Sequence, residues 1–343
     1  MKSSLNWLEA TITGLRDVTP TVREFTLQPP ESAEPYEPGS HLQVQIGVAP
    51  DQRFSPTGPG DGLRLHTRSY SLIGQPDGQA YRIAVKRLDD GRGGSLAMWR
   101  LDVGDRLRIT PPQNHFPLDL LAPGYLLVAG GIGITPLLGM AQTLAARGAP
   151  VRLCFGARSD QELAYWPELQ AALGAQAQAA LASRSEMIPL AREIAALPAN
   201  AQMYVCGPVP LLDAARRAWA QAGRPVSGLR YETFGSSGRF APQAFRVKLP
   251  RHQLAFEVAQ DAGLLDCLEL EGVQALYDCR RGECGLCTMD VLAVQGEIDH
   301  RDVFLSDEEK ATNKRICVCV SRVVGAAGGV GEITLDSAYR PDA

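Results

Sequence analysis

The 343-residue chain lacks an excess of positive charge. Its 34 Lys and Arg stand against 38 Asp and Glu, a formal net charge of -4, and no basic stripe interrupts that balance. Binding a nucleic-acid backbone requires a cationic surface that displaces counterions, so nucleic acid is excluded as a partner and small molecules or proteins are expected. The chain also lacks an export signal. The start MKSSLNWLEATITGL has no uninterrupted apolar core and no small-residue cleavage site, because Glu9 breaks the candidate stretch. Export is therefore not expected, and a cytoplasmic, reducing compartment is. Leu120 to Ala146 is uncharged for long enough to imitate a membrane span, but it contains Pro123, Gly124, Gly130, Gly131, Gly133, Pro136 and Gly139. A buried strand, a tight turn and a helix suit that pattern, and no membrane association is expected. Internal repeats and low-complexity tracts are absent too, which leaves ordinary globular domains, two or three of them at roughly 150 residues each.

What is present changes texture along the chain. From Trp7 to about Phe116, short β-type runs such as LEATITGL, TVREFTLQ, HLQVQIGV, YRIAVKRL and DRLRITPP alternate with Pro/Gly turns, which predicts a small antiparallel β-barrel or a sandwich. From about Pro117 to Phe234, strand and helix alternate: YLLVAGG then TPLLGMAQTLAARG, VRLCFGAR then DQELAYWPELQAAL, QMYVCGP then PLLDAARRAWAQAG. This predicts an α/β domain built on a parallel sheet. GSSGRFAP is the best linker candidate, so 235–243 is taken as the connection. From about Ala244 onward, FRVKLPRHQLAFEVAQDAGLLDCLELEG reads as a hairpin and then a helix, leading into a cysteine run.

That run, CRRGECGLC, sets Cys279, Cys284 and Cys287 in the spacing C-x4-C-x2-C, with Cys317 and Cys319 about thirty residues later. This is the plant-type ferredoxin pattern for a 2Fe-2S cluster. Four thiolates must converge on a compact anionic group, and Gly282 and Gly285 let the loop turn its amides inward. A zinc site would more often pair two C-x2-C knuckles, and only Cys284 and Cys287 make one here. The fourth ligand is open between two residues: on a strand, Cys317 and Cys319 would share a face. The CVSR sequence that begins at Cys319 favours that residue, whereas Cys317 gives the commoner loop length.

Two further signatures precede the thiols. In RSYSL at 68 to 72, an Arg for phosphate, a Tyr for ring packing and hydroxyls beside them suit a flavin, and AVKR at 84 to 87 and GRGGSLAMW at 91 to 99 support that reading. LLVAGGIGITPLLGM at 126 to 140 predicts a strand, a glycine turn and a helix with Thr135 as N-cap and Pro136 as first helical residue. Pro136 stands where the third glycine of G-x-G-x-x-G would fall, so the dinucleotide reading also leans on YVCGP at 204 to 208, a second strand ending in a turn at the same sheet edge. Taken alone, Cys206 there could be simply a small buried apolar residue.

In this order, with PGSHL, NHFPL, DHRD and CVSR, the signatures resemble the phthalate dioxygenase reductase family, to which vanillate demethylase reductase is close. The resemblance covers nearly the whole chain. It implies an FMN-binding β-barrel over 1–116, an NADH-binding α/β domain over 117–234 and, over 244–343, an α+β (β-grasp) ferredoxin domain with a 2Fe-2S cluster. By position, it implies FMN contacts from Arg68, Ser69, Tyr70, Ser71, Ala84, Val85, Lys86, Arg92, Gly93, Gly94 and Ser95. Thr135 would lie beside the flavin, Gly131, Gly133 and Cys206 at the pyridine nucleotide, and Phe234 over the ring face. Cys279, Cys284, Cys287 and Cys319 would be the cluster ligands. The family departs from this chain at Ser159, where an acidic residue would bond the ribose 2'-hydroxyl, so NADH or NADPH is left open. The implied role is reductase, a monomer passing electrons from NADH to a Rieske-type oxygenase, with no acid-base triad. The alternatives are a reductase feeding another acceptor, such as a monooxygenase or haem protein, and a redox-inert zinc adaptor.

Overall fold

The computed structural model describes residues 6–48, 64–89, 93–234, 238–260, 262–326 and 329–336. The chain divides into two compact units, 1–232 and 233–343. Among the described residues, no helix is long and apolar enough to cross a membrane.

The first unit begins with β1 (Leu8–Thr19), β2 (Val22–Gln28), β3 (Ser40–Val48), β4 (Arg64–Ser71) and β5 (Tyr81–Lys86), then α1 (Gly94–Trp99), β6 (Arg106–Ile109) and β7 (Gln113–Asn114). The strands form an antiparallel sheet in the order β4-β3-β6-β1-β2-β5, with β7 on β3, and a bridge from Leu72 to Ile83 joins its two edges into a barrel. Alternation drives it: along β2, Phe25 and Leu27, two residues apart, share one face and pack in a core with Ile12, Leu42, Val44 and Ile83.

The same unit continues with β8 (Tyr125–Gly130), α2 (Ile134–Ala146), β9 (Val151–Ala157), α3 (Trp166–Leu173), β10 (Ala177–Leu181), α4 (Leu190–Ala195), β11 (Gln202–Cys206), α5 (Val209–Gln221) and β12 (Leu229–Glu232). These five strands form a parallel sheet in the order β10-β9-β8-β11-β12. Its central strands, β8 and β11, are buried along their whole length, as parallel strands covered on both faces must be. Two helix starts differ from expectation. α2 begins at Ile134 with Gly133 as its N-cap, because a 3-10 turn at Gly131–Gly133 starts the coil early, and Thr135 lies inside the helix with its hydroxyl donating to the Ile132 carbonyl at 3.0 Å. α3 begins only at Trp166, because Tyr165 adopts a left-handed conformation (φ 60°) and Pro167 lacks the N–H that an earlier helix start would require.

The second unit holds β13 (Phe245–Leu249), β14 (Leu254–Val258), α6 (Leu264–Leu270), β15 (Thr288–Gln295), β16 (Glu297–Asp299), α7 (Asp307–Thr312), β17 (Arg315–Cys317), β18 (Arg322–Val324) and β19 (Gly331–Asp336). A mixed sheet in the order β14-β13-β19-β15-β17 carries α6 over its core, and β16 pairs with β18. β13 alternates cleanly, with Phe245, Val247 and Leu249 inward and Arg246 and Lys248 outward. Part of the expected linker is packed here: the Arg239 N–H donates to Asp299 at 2.9 Å, and Arg301 donates to the Phe240 carbonyl at 3.1 Å.

Candidate redox site

The thiol loop between α6 and β15 is held open by its backbone. Arg280, Gly282 and Gly285 all have left-handed φ (51°, 77° and 74°). Arg280 tolerates that conformation because its guanidinium bridges Asp266 at 2.8 Å and Glu269 at 2.5 Å on α6 and lies over the Tyr277 ring at 4.1 Å. Gly285 suits its left-handed backbone, and a Cβ there would fall 2.2 Å from the Phe304 ring, which would have to move.

The resulting turn points the N–H groups of Arg281, Glu283 and Cys284 at the Cys279 sulfur, each at 3.4 Å. Bonding to Cys284 and then burial push the Cys279 thiol up, and the three amides pull the other way, toward the thiolate that an iron cluster needs. The Cys287 and Cys319 sulfurs approach to 3.1 Å. The facing thiols of Cys317 and Cys319 hold Cys287 well below the usual thiol range, to about 4, and the facing thiol of Cys279 holds Cys284 at about 6. Cys317 and Cys319 are pushed up, first by bonding to Cys287 and then by burial. Among the described residues, no group of three or more His, Cys, Asp or Glu surrounds a single ion position. Cys279 faces Cys284, and Cys287 faces both Cys317 and Cys319, the latter at 3.1 Å; thiols spread over two positions fit a two-iron group better than one zinc.

Cys317 and Cys319 do not continue one strand. β17 ends at Cys317, whose side chain is fully buried in the apolar core, and Val318 to Val320 form a turn that leaves Cys319 half-buried at the loop. A buried polar network that had no role assigned from the sequence backs this loop. The Asp302 carboxylate accepts from Ser321 Oγ at 3.2 Å and from the Leu305 N–H at 2.9 Å, and the next residue, Val303, donates its N–H to the Gly282 carbonyl at 2.9 Å. Asp299 and Arg301 pair at 2.7 Å beside it. The DHRD sequence was the only signal of this network.

In the first unit, the strand order of the parallel sheet reverses between β8 and β11, and ligands of open α/β sheets bind at such a switch point. Gly133 approaches there so closely that a Cβ would fall 2.1 Å from the Cys206 carbonyl oxygen. Gly131 (φ 54°) has nothing within 4 Å of an added Cβ, so its face is open. Cys206 is fully buried at the end of β11, and Thr135 is buried in the first turn of α2.

On the barrel, Arg68, Ser69, Tyr70 and Ser71 lie at the end of β4, and Ala84, Val85 and Lys86 end β5. The Arg68 guanidinium stem lies across Gly94, with Nε 3.4 Å from where a Cβ would stand, so Gly94 leaves room for it. Burial pushes the Tyr70 phenol up to about 12. A partly buried phenol, an arginine and a glycine turn on one barrel end fit a flavin phosphate and ring. Lys86 Nζ is drawn to Glu162 at 2.9 Å, and the Ser95 hydroxyl accepts from the Leu88 N–H at 3.1 Å, closing the 88–95 loop. Arg92 lies outside the described residues. Phe234 is partly buried and falls in the second unit.

Fold and site together define an oxidoreductase with a nucleotide-binding sheet and a cluster-binding unit. The chain matches the oxidoreductase NAD-binding domain over residues 127–217 and the 2Fe-2S iron-sulfur cluster binding domain over residues 248–324. It is 37% identical to the beta subunit of the heme-dependent oxidative N-demethylase of Ectopseudomonas mendocina, over 93% of this chain and 97% of that one. It is 35% identical to the beta subunit of phenoxybenzoate dioxygenase of Ectopseudomonas oleovorans, over 91% and 92%. A solved phthalate dioxygenase reductase, described as a modular structure for electron transfer from pyridine nucleotides to [2Fe-2S], superposes with a TM-score of 0.77 at 29% identity, covering 96% of this chain and 98% of that one. The chain belongs to the phthalate dioxygenase reductase-like family, the reductase subunits of multicomponent oxygenase systems.

Proposed function

We propose that the chain is the reductase component of a Rieske-type aromatic-ring oxygenase or demethylase system, a cytoplasmic monomer taking electrons from NADH through FMN and a 2Fe-2S cluster to the oxygenase. The observation that carries this reading is the pairing of thiols, with three amides on Cys279 and Cys319 at 3.1 Å from Cys287, in a chain that also holds an NAD-binding domain. When bound, FMN and the cluster supply the change from a two-electron donor to one-electron delivery. The chain's own part is positional. Cys279, Cys284, Cys287 and Cys319 hold the cluster. Arg68 and Tyr70, with Ser69, Ser71, the β5 end from Ala84 to Lys86 and the glycine turn at Gly93 to Ser95, hold FMN. Gly131, Gly133 and Cys206 admit the nicotinamide, with Thr135 beside the flavin and Phe234 against its ring. The modules are assigned to 1–116, 117–234 and 244–343, with 235–243 between them.

Ser159 follows β9 in extended backbone, and its neighbour Asp160 is tied to Arg184 at 2.7 Å. NADH is the proposed donor on the strength of the family. The test is anaerobic addition of NADH to the brown protein. The flavin absorbance bleaches, and a single cluster EPR signal appears; a colourless protein with stoichiometric zinc refutes the reading. A second acceptor class has its own support in the haem-dependent N-demethylase relative. Turnover with a haem partner, and not with a Rieske oxygenase, selects it.

A further inference from the structure

We infer that Glu283 is a positioning residue for delivery of the electron to the cluster, tying the chain that enters the second unit to the thiol loop; this rests on the function proposed above. Glu283 lies between Gly282 and Cys284, with its side chain 15% exposed. Its Oε1 accepts the Thr233 backbone N–H at 2.6 Å, its Oε2 faces Arg281 at 3.2 Å, and its own N–H donates to the Cys279 sulfur at 3.4 Å. Thr233 is the first residue of the second unit, is itself buried, and precedes Phe234, which the proposed function sets against the flavin ring. One residue therefore links the backbone just before Phe234 to a cluster ligand: Thr233 N–H to the Glu283 carboxylate, and Glu283 N–H to Cys279. The step served moves one electron, lost by the reduced flavin and gained by the cluster iron, with no bond made or broken.

The carboxylate has two separable effects. Its acceptor oxygen fixes Thr233, and its charge sits beside Arg281, which is 3% exposed, in a loop wrapped around an anionic group. A negative charge there opposes the arrival of another electron. Glu283→Gln keeps a carbonyl acceptor for Thr233 and removes the charge, whereas Glu283→Ala removes both.

The experiment compares wild type, Glu283→Gln and Glu283→Ala in two readouts: EPR-monitored redox titration of the cluster, and stopped-flow reduction by NADH followed at flavin and cluster wavelengths. Both variants should reduce more easily, by about tenfold in the equilibrium, which is ~59 mV for one electron. Flavin bleaching should be unchanged in Glu283→Gln, which keeps Thr233 fixed. The subsequent cluster-reduction step should stay at or above the wild-type rate in Glu283→Gln, and fall about tenfold or more in Glu283→Ala despite the larger driving force. A role in charge alone would speed both variants, so equal cluster-reduction rates in the two overturn the inference. If Glu283→Ala binds no iron, Glu283→Asp decides, because its shorter side chain keeps the charge and withdraws the acceptor from Thr233: slowed cluster reduction at an unchanged potential supports the inference, and cluster reduction at the wild-type rate overturns it. Absence of any cluster signal in wild type would instead refute the proposed function.

Discussion

At the residue scale, the instructive pair is Cys317 and Cys319. Both thiols face Cys287, yet they sit in different surroundings: one is sealed in the core with Ile316, Val318 and Leu335, and the other is half-buried at the mouth of the loop. Burial alone does not bar a thiol from the cluster, since the proposed ligands Cys279 and Cys287 are also buried; what sets Cys317 apart is its place on β17, packed as a small apolar side chain, while Cys319 stands on the turn beside the loop. Cys317→Ala should therefore retain full iron and sulfide content and lose about 1 kcal/mol or somewhat more through a small cavity. Cys319→Ser should lose iron or shift the visible spectrum of the cluster. Iron and acid-labile sulfide analysis, alongside thermal unfolding, checks both; loss of the cluster in Cys317→Ala alone would reverse the assignment. The C-x4-C-x2-C spacing of the three loop thiols was legible because it is local. The different surroundings of Cys317 and Cys319 were not, because strand alternation puts both on one face, and the turn that ends β17 at Cys317 depends on packing rather than on pattern. Glu283 and Asp302 were likewise invisible as partners, since their bonds reach residues 50 and 19 positions away in the chain.

At the scale of elements, the glycine turn after β8 was legible as a motif, and its helix start was not. The sequence offers Thr135 and Pro136 as an ordinary cap and first residue, but a 3-10 turn precedes them, forced by the close approach of Gly133 to the end of β11. The two glycines should consequently differ in what a methyl group does. Gly133→Ala places Cβ 2.1 Å from the backbone oxygen of Cys206 at the end of β11, where the obstacle is main chain and no side chain can swing aside. It should cost about 3 kcal/mol or more in stability, the upper range for overpacking. Gly131→Ala meets open space and bears only the strain of its left-handed φ, about 1–2 kcal/mol. Its methyl group would project onto the face proposed for the nucleotide, so it should raise KM for NADH by about tenfold while the protein stays folded, a cost of about 1.4 kcal/mol in binding. Thermal unfolding and steady-state kinetics with NADH separate the two. A Gly131→Ala protein with unchanged KM would remove that glycine from the nucleotide site.

At the scale of the whole molecule, the order of modules was legible because texture changes along the chain: period-two runs, then strand-helix alternation, then a thiol loop. The connection was less so. GSSGRFAP reads as a loose linker from its small polar residues, yet Arg239 and Phe240 within it are bonded to Asp299 and Arg301, charges some sixty residues further on. The modular order has a kinetic consequence. The residues proposed for FMN and nucleotide lie in the first unit, apart from Phe234, and all four proposed cluster ligands lie in the second. A change confined to the thiol loop should leave hydride transfer intact and block the later one-electron steps. In Cys284→Ser, the rate of flavin bleaching by NADH should therefore stay within about twofold of wild type, as expected for sites without shared partners. Reduction of cytochrome c, a one-electron protein acceptor, should fall by about tenfold or more, the usual scale for damage to a metal centre. Ferricyanide, small enough to meet a flavin directly, should still be reduced. Stopped-flow absorbance and the two acceptor assays on one preparation give the answer, and cytochrome c reduction at the wild-type rate in Cys284→Ser would take the cluster off the path.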